Sequence, residues 1–411
     1  MNAKRNVLII GACGGVGRAF LRTLLGERER MEKLLLVDKK EPWADDGSAS
    51  FRELKGEFIK ASVDVDKGRE EYLRLLRTYR IDIVIDLSIN ETRAMLAASD
   101  RAGVSYINTG VANRPDENFS EVVLDLVHRQ TESWNAPHVL CSGMNPGVVN
   151  MWVRRGIATS GVPKNIVHFE YDTGEPVAGG MPIIAWSRET LLDEIVNDPA
   201  GYVVGRNKIK FVPPNPLKNR VSMEEVLRRI MNLPVYPRGF LLLHEENITL
   251  GQKYDVPSRF LFSLKTETMD YLEKVYDKKK EVPLDTLALG DNGKIPLKGE
   301  ATVGVCLEYE NTREYFFNTT PQGEVPGVSG SCWQVAAGLH AAFRTVVEDP
   351  LEKRVYFVED LLGTTCERLM LNNLPMEHVV VHHRGTEATE GDLCFRLSGD
   401  TDRRKYPSGN P

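Results

Sequence analysis

Long apolar runs are missing from this 411-residue sequence. Its most apolar stretches, Asn6 to Ile10 with its flanks and Ile83 to Leu87, stop far short of the roughly 20 residues a membrane-spanning helix requires. No transmembrane reading survives. Cysteine is scarce: Cys13, Cys141, Cys306, Cys332, Cys366 and Cys394 contain no close pair of the kind that marks a zinc site or a redox dithiol. Reduced, structural cysteines and no metal are expected. A basic, apolar, small-residue leader is also lacking before the first apolar run, so a cytoplasmic location is expected. Neither sign of charge dominates, with 52 Lys plus Arg against 58 Asp plus Glu and a net charge of -6. That balance argues against nucleic acid or an anionic membrane as partner and is compatible with a cationic substrate. What is present is an ordinary globular composition, 42% hydrophobic and 8% aromatic, long enough for two core-forming domains.

Residues 1–150 alternate short apolar runs with amphipathic stretches, the pattern of an α/β fold in which crossover helices join the strands of a Rossmann-type parallel sheet. Strands are expected at Asn6 to Gly11, Leu34 to Val37, Ile81 to Leu87, Ser105 to Asn108 and His138 to Cys141. Helices are expected where Val16, Phe20, Leu21, Leu24 and Leu25 recur at helical spacing and over Glu91 to Ala102 and Phe119 to Thr131. The alternation is lost near Asn145. Residues 151–325 read as an α+β substrate and dimerisation domain with Pro-rich loops at Phe211 to Pro216 and Leu233 to Pro237. Residues 326–384 begin with a strongly periodic helix, Ser329 to Val347, closed by Asp349-Pro350 and expected to pack back on the first domain. The segment 385–411 is polar and expected to be partly disordered.

Gly11-Ala12-Cys13-Gly14-Gly15-Val16-Gly17 lies between a strand and a helix, where a pyrophosphate meets a helix N-terminus. Gly11 suits the tight turn, Gly14 a close backbone approach, and Gly17 close packing of helix on strand. Asp38, 21 residues beyond Gly17 at the end of the second strand, is placed to bind the adenosine ribose and repel a 2′-phosphate. NAD is therefore expected over NADP, with Lys39 and Lys40 arguing the other way. A plain tight turn and a strand-end aspartate is the alternative.

Asn145-Pro146-Gly147 follows the last strand of the first domain, where a loop would face the reacting end of the nucleotide, and Asn offers both a donor and an acceptor to an amine or imine. Glu170-Tyr171-Asp172-Thr173, Trp186, Asp193 and Glu194 gather acids around one indole, a pairing suited to an alkylammonium group. His244-Glu245-Glu246-Asn247 ends the apolar run Phe240 to Leu243, and either His244 or Glu246 is a candidate for proton exchange near neutral pH. The plain alternatives are an Asn-Pro turn, a core tryptophan with helix-surface acids, and a solvated cluster at a strand end.

Together these segments resemble the saccharopine dehydrogenase-like superfamily, and within it the bacterial homospermidine synthases. The resemblance rests on the glycine turn with Asp38, Asp86-Leu87-Ser88 with Asn90, Tyr106-Ile107-Asn108-Thr109, Asn145-Pro146-Gly147, Glu170-x-Asp172-Thr173, Trp186-Ser187 with Glu194, His244-x-Glu246-x-Ile248 and Gln334-Val335-Ala336. It implies a homodimeric enzyme that uses NAD on putrescine through an enzyme-bound imine. The hydride taken is returned, so the net reaction is aminobutyl transfer. It also implies that Asn145, Trp186, His244 and Glu246 are catalytic, that Glu170, Glu194 and Asn90 bind the amine, and that Ser88 and Thr109 join Gly11, Gly14, Gly15, Val16, Gly17 and Asp38 at the nucleotide. The chain departs where an acid is expected shortly after Thr109 and Gly110-Val111-Ala112 stands instead. Two rivals remain open. One is an NAD(P)-dependent imine reductase or dehydrogenase that binds a substrate carboxylate through Arg188 or Arg259. The other is a non-catalytic NAD-binding regulator.

Overall fold

The computed structural model describes residues 4–41, 47–179, 182–206, 208–290, 295–382 and 401–405, with backbone alone at 47–50 and 401–405. Six strands, β1 (Arg5–Ile10), β2 (Met31–Asp38), β3 (Glu57–Lys60), β4 (Ile83–Asp86), β5 (Ser105–Asn108) and β6 (His138–Leu140), are joined at the far edge by Val355–Phe357. They form a parallel sheet in the order Val355–Phe357, β6, β5, β4, β1, β2, β3. Because helices cover both faces, the strands are nearly continuous apolar runs. In β1, Val7, Leu8, Ile9 and Ile10 are all buried. The register aligns Ile10 with Val37 and Asp86, and Asp86 with Asn108, so the carboxyl ends of the strands form one rim. Strand order reverses between β1 and β4, and ligands of open α/β sheets bind at such a switch point.

Two elements of this half are not apparent from periodicity. The strand β3 is four residues long, and the helix Val65–Tyr79 buries only Val65, Tyr72, Leu73 and Leu76 and bends at Gly68, which lies outside helical φ/ψ. The Val355–Phe357 edge is likewise not apparent from the sequence, being only three residues long and far along the chain from its neighbour β6.

The buried helix Val148–Ser160 leads into a ten-stranded mixed sheet. At its centre Asn165–Asp172 pairs in parallel with Ser258–Ser263 and antiparallel with Glu300–Glu308, which pairs in turn with Thr312–Pro321. The late helix Gly330–Glu348 then crosses back and packs on the helix Gly15–Thr23, with the Phe20 and Phe343 rings edge to face at 6.2 Å. One core runs through both sheets, from Val7 and Ile9 through Trp152 to Val305 and Phe316. Of the polar tail, only Thr401–Lys405 is described, as a strand beside Glu377–His382. The rest of residues 385–411, including Cys394, lies outside the described residues. The other five cysteines are buried and unpaired by disulfides. Among the described residues no helix is long and apolar enough to cross a membrane.

Candidate functional site

The glycine turn sits at the switch point. Gly11 has φ +76°, and a Cβ there would lie 2.5 Å from the Leu87 carbonyl oxygen; one at Gly17 would lie 2.4 Å from that of Ala12. Gly14 caps the helix that opens at Gly15 and Val16, and with no side chain it leaves the first-turn amides uncapped by a side chain. Such a helix end is an anion site. Asp38 accepts the Cys13 N–H through Oδ2 and the Lys40 N–H through Oδ1, both at 2.8 Å, so its carboxylate ties the turn to the end of β2. Two acceptor positions on that carboxylate remain for hydroxyl groups. Burial, reinforced by Asp38, pushes the Cys13 thiol up to about 12, so it stays protonated.

Along the rim, Asp86 accepts the Ser88 N–H and hydroxyl through Oδ1 and the Tyr106 hydroxyl through Oδ2. Burial raises its carboxyl to about 6. The Asn90 side chain donates to the Ser88 hydroxyl at 2.8 Å. Asn90 is thus tied to Ser88 at the carboxyl end of β4. Thr109 follows β5 and faces Gly143 of the next loop. Asn108, not singled out as a site residue from the sequence, holds the two loops together. Its Oδ1 accepts the Cys141 N–H, its Nδ2 donates to the Gly110 carbonyl, and its own carbonyl accepts from Ser142.

The loop Cys141 to Gly147 turns from the first sheet toward the second, and the Asn145 amide donates to Glu170 Oε2 at 2.6 Å. Alternation along Asn165–Asp172 puts His168, Glu170 and Asp172 on one face. Sheet register sets Phe262 beside Glu170 and Phe260 beside His168. Trp186 packs edge to face on Phe262 at 6.3 Å, and His244 on Phe260 at 5.1 Å. Thus Asn145, Glu170, Trp186 and His244 converge over four adjacent residues of two strands. The Trp186 indole N–H has no acceptor among the described residues.

His244, the N-cap of the helix Glu245–Tyr254, donates from Nδ1 to Glu246 Oε2 at 2.6 Å, with Glu245 Oε2 at 3.1 Å. Its Nε2 faces Glu194 Oε1 at 3.7 Å. His244, Glu245 and Glu246 are all buried, which excludes the solvated strand-end reading. The three place one possible ligand atom each within 4.8 Å of one another. Burial opposes charge on His244, yet the Glu246 and Glu245 carboxylates outweigh it and hold the imidazolium well above the usual range. Glu246 is held below the usual range because His244 offsets its burial. Neither member of this pair exchanges protons near neutrality, contrary to the sequence expectation. The groups that do are Glu170, raised by burial to about 8, and Asp198, raised by burial and by Glu194 to about 7.

Three participants went unread. Glu245 accepts the Val111 N–H at 2.7 Å, so a buried carboxylate stands against the Gly110-Val111-Ala112 loop where the chain itself lacks the expected acid. Asp198 follows the turn that carries Glu194, and His168 lies wholly buried on the strand of Glu170. Adjacency to Glu246 and to Glu194 were the available signals for the first two. Of the other acids, Asp193 is exposed and accepts from Asn197, while Asp172 is taken up by the Gly174 N–H, Gln322 and Ser331. Arg259 is paired with Glu225 at 3.0 Å, and Arg188 donates to the Leu287 carbonyl.

Residues 7–133 match the family described as the saccharopine dehydrogenase NADP binding domain. The chain is similar in structure to the homospermidine synthase of Legionella pneumophila, solved in complex with NAD, at 14% identity over 95% of this chain and 96% of that one, with a TM-score of 0.71. It also matches the leucoanthocyanidin reductase of Vitis vinifera, solved with NADPH, at 18% identity over 27% of this chain and 38% of that one, with a TM-score of 0.21. No curated protein matches the chain in sequence. These findings agree with the resemblance read from the motifs: residues 7–133 match the saccharopine dehydrogenase NADP binding domain, and the chain as a whole shares its fold with the homospermidine synthase structure.

Proposed function

We propose that the protein is an NAD-dependent enzyme of the homospermidine synthase kind, which transfers an aminobutyl group between diamines such as putrescine. The observation that carries this reading is the convergence of Glu170, Trp186, Glu194, Glu245 and Asp198 around His244, a set of carboxylates and one indole with a single cation among them. A polyamine supplies the positive charge such a site calls for. Gly11, Gly14, Gly15, Val16 and Gly17 would hold the pyrophosphate of NAD and Asp38 the ribose, with Ser88 and Thr109 further along the rim. Bound NAD supplies the hydride acceptor that makes an amine-bearing carbon electrophilic, and the donor that restores it.

The chain's own residues account for the remaining steps. Glu170 is the general base: at about 8 its carboxyl is poised to take a proton from a substrate ammonium, and Asn145 fixes one of its oxygens. Trp186 offers a ring face to the cationic carbon–nitrogen centre, an attraction of about 0.5–2 kcal/mol. Glu194 and Glu245 hold ammonium groups, while the His244–Glu246 pair stays charged and fixes the geometry around them. Homodimerisation through the second sheet, and the division at residues 150, 325 and 384, belong to the same reading.

A second reading, an NAD(P)-dependent dehydrogenase acting on a carbon–nitrogen bond, draws support from the family matched by residues 7–133. It needs a basic residue to pair with a substrate carboxylate; Arg259 is already held by Glu225, and Arg188 donates to the Leu287 carbonyl. Mass analysis of nucleotide released from purified protein, followed by product identification after incubation with NAD and putrescine, tests the proposal. Homospermidine supports it, and failure to form any product from a diamine refutes it.

A further inference from the structure

His168 is fully buried, and neither ring nitrogen has a hydrogen-bond partner among the described residues. Glu246, also fully buried, gives Oε2 to His244 and leaves Oε1 without a partner. The two residues are electrostatic neighbours, and the route between them is visible: His168 sits beside Phe260 in the sheet, Phe260 packs on His244, and His244 is bonded to Glu246. A neutral imidazole carries one donor, and Oε1 is an acceptor. Buried polar atoms that lack protein partners are commonly joined by an ordered water.

We infer that His168 is a positioning residue, which holds Glu246 Oε1 through one buried water and so keeps the His244 ring doubly protonated beside the carboxylate cluster. Burial lowers His168 to about 4, which leaves it a neutral donor throughout the working range. The groups facing the His244–Glu246 pair are Glu245 from the same helix turn, Glu194 and Asp198 from the turn before Ala200–Gly205, His168 and Glu170 from the central strand, and the Cys141 thiol from the loop after β6, which burial keeps protonated. Removing the donor destabilises the Glu246 carboxylate and favours transfer of the shared proton from His244 to it. The inference concerns this site but not its reaction, so it survives if the diamine chemistry fails.

The test is 15N NMR of histidine-labelled full-length protein with NAD present, the His244 signals being assigned with His244→Asn. Wild type at neutral pH should show two protonated ring nitrogens. His168→Gln, which keeps an N–H donor, should retain that pattern. His168→Phe should move it toward a neutral ring, with the change occurring at least one pH unit lower. An unchanged His244 pattern in His168→Phe, or a neutral ring in wild type, overturns the inference. A crystal structure of the wild type that orders its waters decides the matter independently of variant folding. It should place one water within about 3.2 Å of both a His168 nitrogen and Glu246 Oε1, and side chains packed between those atoms with no water would also overturn it.

Discussion

The Asn145 side chain donates a 2.6 Å hydrogen bond to Glu170, joining the last loop of the nucleotide-binding sheet to the central strand of the second sheet. Asn145 can fix the carboxylate without supplying charge, so burial still decides its titration. The chemistry of the site is therefore set by a contact between two elements 25 residues apart that no local pattern encodes.

Glu170→Gln should lower kcat/KM for putrescine by about 10²- to 10⁴-fold, the usual contribution of a general base, while NAD affinity stays within about twofold of wild type. In wild type, kcat/KM should rise with pH through about 8 as the carboxylate forms, and the variant should lack that limb. Stability moves the other way. The folded carboxyl binds its proton more tightly than the unfolded one, so its contribution is complete at low pH and is lost as pH rises through about 8. Urea denaturation at about pH 6 and about pH 9 should show a smaller loss in Glu170→Gln than in wild type.

Asp38→Ala should weaken NADH binding and narrow the preference over NADPH. The change removes the ribose acceptor and also frees the Cys13 and Lys40 N–H groups that position the glycine turn. Fluorescence titration with both nucleotides checks this. Equal wild-type affinities, unaffected by the substitution, would remove Asp38 from the nucleotide site.

Trp186→Phe should keep much of the activity that Trp186→Ala loses, because a phenyl ring preserves a cation-binding face and the contact with Phe262. Steady-state kinetics on the folded fraction, with thermal melts as control, make the comparison. Matching losses of stability with normal kinetics in both variants would make Trp186 a core residue only.

The late helix touches the Asn145 loop so closely that a Cβ on Gly338 would lie 2.1 Å from the Gly143 carbonyl oxygen. Gly338→Ala should destabilise the protein by about 1–3 kcal/mol and raise KM for the amine by moving Asn145. Denaturation and kinetics on one preparation test both effects.

The strands β1, β2, β4, β5 and β6 and the two helices between the later ones were legible because buried parallel strands are unbroken apolar runs. The helix Val65–Tyr79 was not, since four buried residues make too thin a stripe. The same contrast holds at the site. Glu170, Trp186, Glu194 and His244 stood out as unusual residues near apolar runs. Glu245 instead looked like one more acid on a polar turn, and only tertiary folding sets it against Gly110 and Val111. The direction of titration was illegible for a related reason: His244 next to Glu246 reads as a pH-sensitive pair, whereas complete burial turns it into a fixed ion pair and passes the neutral titration to Glu170.

The central claim is that a diamine is oxidised, exchanged and reduced again in this carboxylate site with no net redox change. Absorbance at the NADH band, followed while homospermidine is counted by mass spectrometry in the presence of putrescine and substoichiometric NAD, tests it most directly. The account predicts many product molecules per NAD with no accumulation of free NADH. One NADH released for each putrescine consumed would contradict it and leave a dehydrogenase in its place.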